Sequence, residues 1–144
     1  MEYKIMNGYY YIKINKGESL MKEIQAFSQT NNVCGSFSGI GAANKVIIST
    51  YLPEKKEFLN HTQKGMLEIV SLTGNVSLDQ KNKPVVHAHA CFSYLNEKKS
   101  ISIIAGDLCE ARISYTCELV FHPTGQPLYR EFDKNAEIDV WKLS

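Results

Sequence analysis

From Val33 to Phe121 the apolar residues of this 144-residue chain recur at every second position, in one run after another. The cleanest run sets Ile113, Tyr115, Cys117, Leu119 and Phe121 against Ser114, Thr116, Glu118 and Val120. A period of two fits a strand with one buried face, and it does not fit a helix. Val33–Ser38, Val46–Leu52, Met66–Leu72, Val85–Phe92 and Ile101–Gly106 read as further strands, and Tyr9–Ile14 as an earlier one. Between them stand turn-forming residues: Gly39 and Gly41, Pro53, Gly74-Asn75, Asn82-Lys83-Pro84 and Asn96-Glu97. Only one stretch has helical spacing. Leu20, Ile24 and Phe27 form a stripe that predicts an amphipathic helix over about 18–30, opened by Gly17-Glu18-Ser19 and ended by Asn31-Asn32. One helix and many short-looped strands specify an α+β domain around a largely antiparallel sheet. Residues 1–144 read as a single domain, with its core over about 8–122 and a tail over 123–144 that carries a short final strand from Pro127.

Composition narrows the function classes. Sixteen Lys and Arg against fifteen Asp and Glu leave a net charge of +1, which offers no field to draw in a polyanion. The paired lysines Lys55-Lys56 and Lys98-Lys99 have acids beside them. The four cysteines, Cys34, Cys91, Cys109 and Cys117, are dispersed with no Cys-x-x-Cys, so they frame neither disulfides nor a zinc finger. No run approaches the roughly 20 apolar residues of a membrane span, and the first residues lack the layout of a signal peptide. A cytoplasmic protein is expected, which makes the sequons at Asn60 and Asn75 chance matches. Gly39-Ile40-Gly41-Ala42 lacks the third glycine and the following helix of a phosphate loop, and is expected to be a tight turn between strands.

The chemistry is concentrated in Pro84-Val85-Val86-His87-Ala88-His89-Ala90-Cys91-Phe92. Alternation projects His87, His89 and Cys91 from one strand face, with neighbours about 6–7 Å apart. Two imidazoles so placed can lean toward one zinc-like ion; two histidines packed or solvated on a half-buried strand give the same pattern. The second segment is Ile103-Ile104-Ala105-Gly106-Asp107-Leu108. Asp107 there is either a turn residue or the carboxylate that completes a two-histidine, one-carboxylate set, which leaves a coordination position open. Cys91 is the competing third ligand. Glu110 and Glu68 are the candidate proton carriers. His61 and His122 have no partner that spacing identifies.

Five motifs in order, Gly17-Glu18-Ser19-Leu20, Gly35-Ser36-Phe37-Ser38-Gly39-Ile40-Gly41-Ala42, Leu67-Glu68-Ile69-Val70-Ser71-Leu72-Thr73-Gly74-Asn75, Pro84-x-x-His87-x-His89 and Ala105-Gly106-Asp107-Leu108, resemble the PPC domain, conserved between plants and prokaryotes. The resemblance implies an α+β fold related to that of acetolactate decarboxylase, a zinc enzyme, and assembly as a homotrimer. It also implies a metal site at His87, His89 and residue 107. Prokaryotic relatives usually read Gly-Gly-His-Leu at the last motif, whereas this chain has Asp107, a harder and shorter donor. Free-standing members carry a DNA-binding description, and in plants a separate Arg-Gly-Arg-Pro hook makes that contact; no such hook occurs here, so direct DNA binding is not expected. The reading that follows is a homotrimer binding zinc and acting on a small molecule. The alternative is a DNA-associated regulatory assembly without chemistry.

Overall fold

In the computed structural model, which describes residues 1–144, the chain forms eight strands and one helix. In chain order these are β1 (Glu2–Met6), β2 (Tyr9–Asn15), α1 (Leu20–Asn31), β3 (Gly35–Leu52), β4 (Glu57–Leu78), β5 (Pro84–Leu95), β6 (Ile101–Pro123), β7 (Tyr129–Asp133) and β8 (Ile138–Lys142). Helix α1 buries the expected stripe of Leu20, Ile24 and Phe27. It ends where Asn32 takes the left-handed conformation at φ 52° and its N–H donates to the Ser28 carbonyl. No helix is long and apolar enough to cross a membrane.

The sheet is antiparallel except for a single parallel bridge, Leu78 to Tyr129, that ties β7 to β4. Strand β3 pairs with β4 on one edge and β6 on the other, while β5 also pairs with both β4 and β6. Strands β3, β4, β5 and β6 therefore close a hydrogen-bonded circuit. Three of them run to 18, 22 and 23 residues, far beyond the usual 5–6. Their length follows from the circuit: β4 serves β3 and then also β5, and β6 serves β5 and then β3 and β2. Helix α1 lies against β5 and β6 with its apolar stripe turned to the sheet and Lys22, Gln25 and Gln29 exposed. The Phe27 ring meets Tyr10 and Phe121 edge-on, at centroid distances of 5.0 and 5.3 Å, and Phe92, Leu72, Val76 and Ile113 belong to the same core.

Three expectations about boundaries are corrected. Gly39–Gly41 is not a turn but the interior of β3, and Gly74-Asn75 is the interior of β4. Asp107 lies within β6 rather than at a strand end. At Gly39 the cause is close approach by the next strand. A Cβ there would stand 2.5 Å from the Glu118 carbonyl oxygen and 2.6 Å from the Leu119 Cβ, so only glycine admits β6 at this spacing. The pairing also slips register between Gly39 and Gly41, which bends the long strand around the core. A strand beyond those expected, β1, pairs with β2 through Asn7-Gly8, which at φ 50° and 82° has the composition and conformation of a two-residue hairpin turn. The tail holds two strands, β7 and β8, where one was expected.

Substituting Gly39→Ala should destabilise the protein by about 3 kcal/mol, the upper end of overpacking costs, because backbone rather than a mobile side chain must yield. Urea unfolding monitored by circular dichroism reads this directly, and a loss below about 1 kcal/mol would contradict the close-approach account.

Candidate metal centre

The pleat of β5 buries Ala88 and Ala90 and turns His87 and His89 outward. Small alanines on the inner face let β5 lie close over the core, and the histidines take the other face by alternation. Across the sheet His89 pairs with Asp107, and Asp107 pairs on its other edge with Ser49 of β3. Asp107 is thus the residue at which β6 passes from β5 to β3. Gly106 beside it has φ +148°, and a Cβ there would meet Ile48 Cγ2 at 3.0 Å, so the backbone that presents Asp107 requires glycine.

His87 Nε2 lies 3.6 Å and His89 Nε2 4.0 Å from the same oxygen, Asp107 Oδ1. The two rings stand at 73° with centroids 5.2 Å apart. One donor atom from each of the three residues falls within 4.8 Å of the others. At 3.6 and 4.0 Å none of these approaches is a hydrogen bond, so three donors converge without satisfying one another. Ligand atoms 2.0–2.2 Å from a tetrahedral ion stand about 3.3 Å apart, against 3.6 and 4.0 Å from the two histidine nitrogens to Asp107 Oδ1. The donor set fits a divalent ion of the zinc type. Burial, first, disfavours the charged form of His87; Asp107 acts against this, while His89 and Arg130 add to it, and the pKa lies below the ordinary imidazole value. A neutral imidazole is the form that ligates.

The three residues open onto a cleft of about 640 Å³, walled by Tyr51, Phe58, Val85, Val86 and Ile138 among others, with Arg130 and Asp139 at its polar side. The β7–β8 hairpin supplies Arg130. Its Nε donates to Ser77 Oγ at 2.7 Å, Nη1 to the Asp139 carbonyl at 3.0 Å and Nη2 to Asn75 Oδ1 at 3.1 Å. Sequence reasoning missed Arg130. Nothing in local spacing links a lone arginine in the tail to a histidine pair more than forty residues earlier.

The other candidates fall elsewhere. Cys91 is partly buried opposite Ser71 and Ala105, one pleat past His89, and its sulfur is not among the converging donors. Glu110 lies opposite Ile47, beyond a register slip that turns β6 relative to Asp107, and does not line the cleft. Glu68, opposite Ser93, lines a separate hollow with Met66, Leu95 and Ile101. His61 pairs with Ile48 in the β3–β4 ladder, and His122 lies against the Tyr9 ring at 4.3 Å.

An α+β domain whose closed strand circuit presents two histidines and a carboxylate is the class these features define. The chain belongs to the Plants and Prokaryotes Conserved (PCC) domain family, whose model matches residues 2–124. Among solved structures it is similar to a plant- and prokaryote-conserved (PPC) protein from Pyrococcus horikoshii, at 28% identity and TM-score 0.79 over 99% of this chain and 96% of that one. It is similar at 26% identity and TM-score 0.80 to a metal-containing protein from Archaeoglobus fulgidus, over 98% and 96% of the two chains. A third, described as a "putative DNA-binding protein" from Bacteroides thetaiotaomicron, shares the fold at 24% identity and TM-score 0.88, again over 98% and 96%. No curated protein matches the chain.

Because the folded state holds His87 below its unfolded pKa of about 6.5, the unfolded chain takes up the proton first as pH falls. The stability from neutral His87 is present above that value and is lost as pH drops below it. Metal-free wild-type protein should therefore lose more melting temperature between pH 7.5 and pH 5.5 than His87→Gln. Equal losses would contradict the assignment.

Proposed function

We propose that this chain is a homotrimeric metal-binding domain that holds zinc through His87, His89 and Asp107 and presents it to a small molecule in the adjoining cleft. The observation that carries the reading is the convergence of three donor atoms within 4.8 Å with no hydrogen bond among them. Support comes also from the metal-containing relative of Archaeoglobus fulgidus. Three protein ligands leave a coordination position, as in catalytic rather than closed structural sites. Zinc would supply Lewis acidity there. The chain's own residues lower the pKa of His87 by burial, shape an apolar wall with Tyr51, Phe58 and Ile138, and fix Arg130 at the rim.

Self-association is supported by apolar side chains that the single chain leaves in water. Leu95, Ile101 and Ile103 are 65%, 75% and 63% exposed and lie together at the β5–β6 end of the sheet. Such a patch is what an interface covers; the trimeric order follows from the family resemblance. Direct DNA contact forms no part of the reading, since a net charge of +1 gives no basic footprint.

Native mass spectrometry of untagged protein tests both parts. The expected species is a trimer with one zinc per chain at pH 7.5, which loses its metal on acidification because ligation needs neutral imidazoles. His87→Ala/His89→Ala should give a trimer without zinc. A monomer would refute the assembly, and zinc retained by the double variant would refute the site.

A further inference from the structure

We infer that Arg130 is an anion anchor, and that the cleft takes a small organic monocarboxylate whose carboxylate pairs with Arg130 while a neighbouring oxygen faces the His87–His89–Asp107 donors. The inference rests on the proposed metal centre and adds the class of ligand.

Arg130 is held as a fixed group. Three of its five N–H donors are engaged, one of them by Ser77, whose side chain is wholly buried. All three acceptors are neutral oxygens. Arg130 takes part in none of the molecule's ion pairs. A guanidinium immobilised at the rim of a cleft without a counter-ion, with two N–H groups unengaged, is arranged for an oxyanion brought from outside. Its position is set by β7–β8, beyond the residues that the family model matches.

Charge selects among oxyanions. With neutral histidines, a divalent ion and Arg130 face the carboxylates of Asp107 and Asp139, which leaves one positive charge in the cleft. A monoanion neutralises it, whereas a phosphate dianion reverses it beside two carboxylates. The rest of the lining includes the hydroxyl residues Ser49 and Thr50, but Tyr51, Phe58, Val85, Val86 and Ile138 give it an apolar wall that suits an organic body and that an inorganic ion leaves uncovered. Both arguments favour a compact carboxylic acid over phosphate.

Isothermal titration calorimetry of zinc-loaded protein with α-ketoisovalerate tests this, with methyl isopropyl ketone and inorganic phosphate as comparisons. The acid should bind at least about tenfold tighter than either, the scale of one charge-assisted contact. Arg130→Gln should lose about the same factor for the acid and keep its zinc affinity, and Arg130→Lys should fall between. Trp141, the sole tryptophan, donates Nε1 to Asn75 Oδ1 at 3.3 Å, so its emission reports whether the hairpin stays docked in each variant. If Arg130→Gln undocks it, the wild-type comparison of acid against ketone decides. Equal binding of acid and ketone, tighter binding of phosphate, or an unchanged acid affinity in docked Arg130→Gln would overturn the inference. If zinc itself fails to bind, the metal reading falls alone, and the acid is titrated into metal-free protein. Arg130-dependent binding there supports the anchor, and no binding overturns it.

Discussion

Everything at the site depends on one change of partner along β6. Up to Asp107 the strand is hydrogen-bonded to β5; from Asp107 onward it is hydrogen-bonded to β3. Gly106, with its positive φ and with Ile48 where a Cβ would stand, lies immediately before the residue at which the two ladders meet. Closure of the circuit fixes the one carboxylate of the segment against the one strand that carries two outward histidines. The energy that holds the donors together is therefore that of the core beneath them, where Ala88, Ala90, Phe92 and Leu108 are buried. The donors make no hydrogen bond to one another, so their placement rests on that core rather than on their own pairing.

That separation has a chemical consequence. The site residues are free to serve a ligand, since the fold does not need them paired. Burial lowers the pKa of His87 although Asp107 favours its charged form, and the neutral imidazole is the form that can ligate a metal. Asp107 in place of a third histidine adds a negative charge to the set and makes it harder. Arg130 lines the same cleft and makes no ion pair with Asp107.

Legibility in the sequence followed the range of the interaction. The helix was legible because Leu20, Ile24 and Phe27 report their own face, and the strands because alternation is local. The histidine pair was legible for the same reason. Asp107 could be placed beside it only through the family resemblance, because its partner is set by register. Gly39, Gly41 and Gly74 were misread as turns, since a glycine that admits a crossing strand and a glycine that turns a chain are the same letter. Cys91 and the glutamates illustrate the opposite limit. Alternation puts Cys91 on the histidines' face, but the register slip opposite it and the next pleat carry its sulfur out of reach. Arg130 arrives through a single parallel bridge at Leu78–Tyr129, which no local pattern encodes.

The most direct test of the account is X-ray absorption at the zinc edge on the metal-loaded protein, which reads donor type and distance at the ion. Two imidazole nitrogens and one carboxylate oxygen predict a first shell at about 2.0–2.2 Å with the ring scattering of histidine and no sulfur. A shell at about 2.3 Å, the zinc–thiolate distance, would bring Cys91 or Cys109 into the site and contradict the geometry described for β5 and β6.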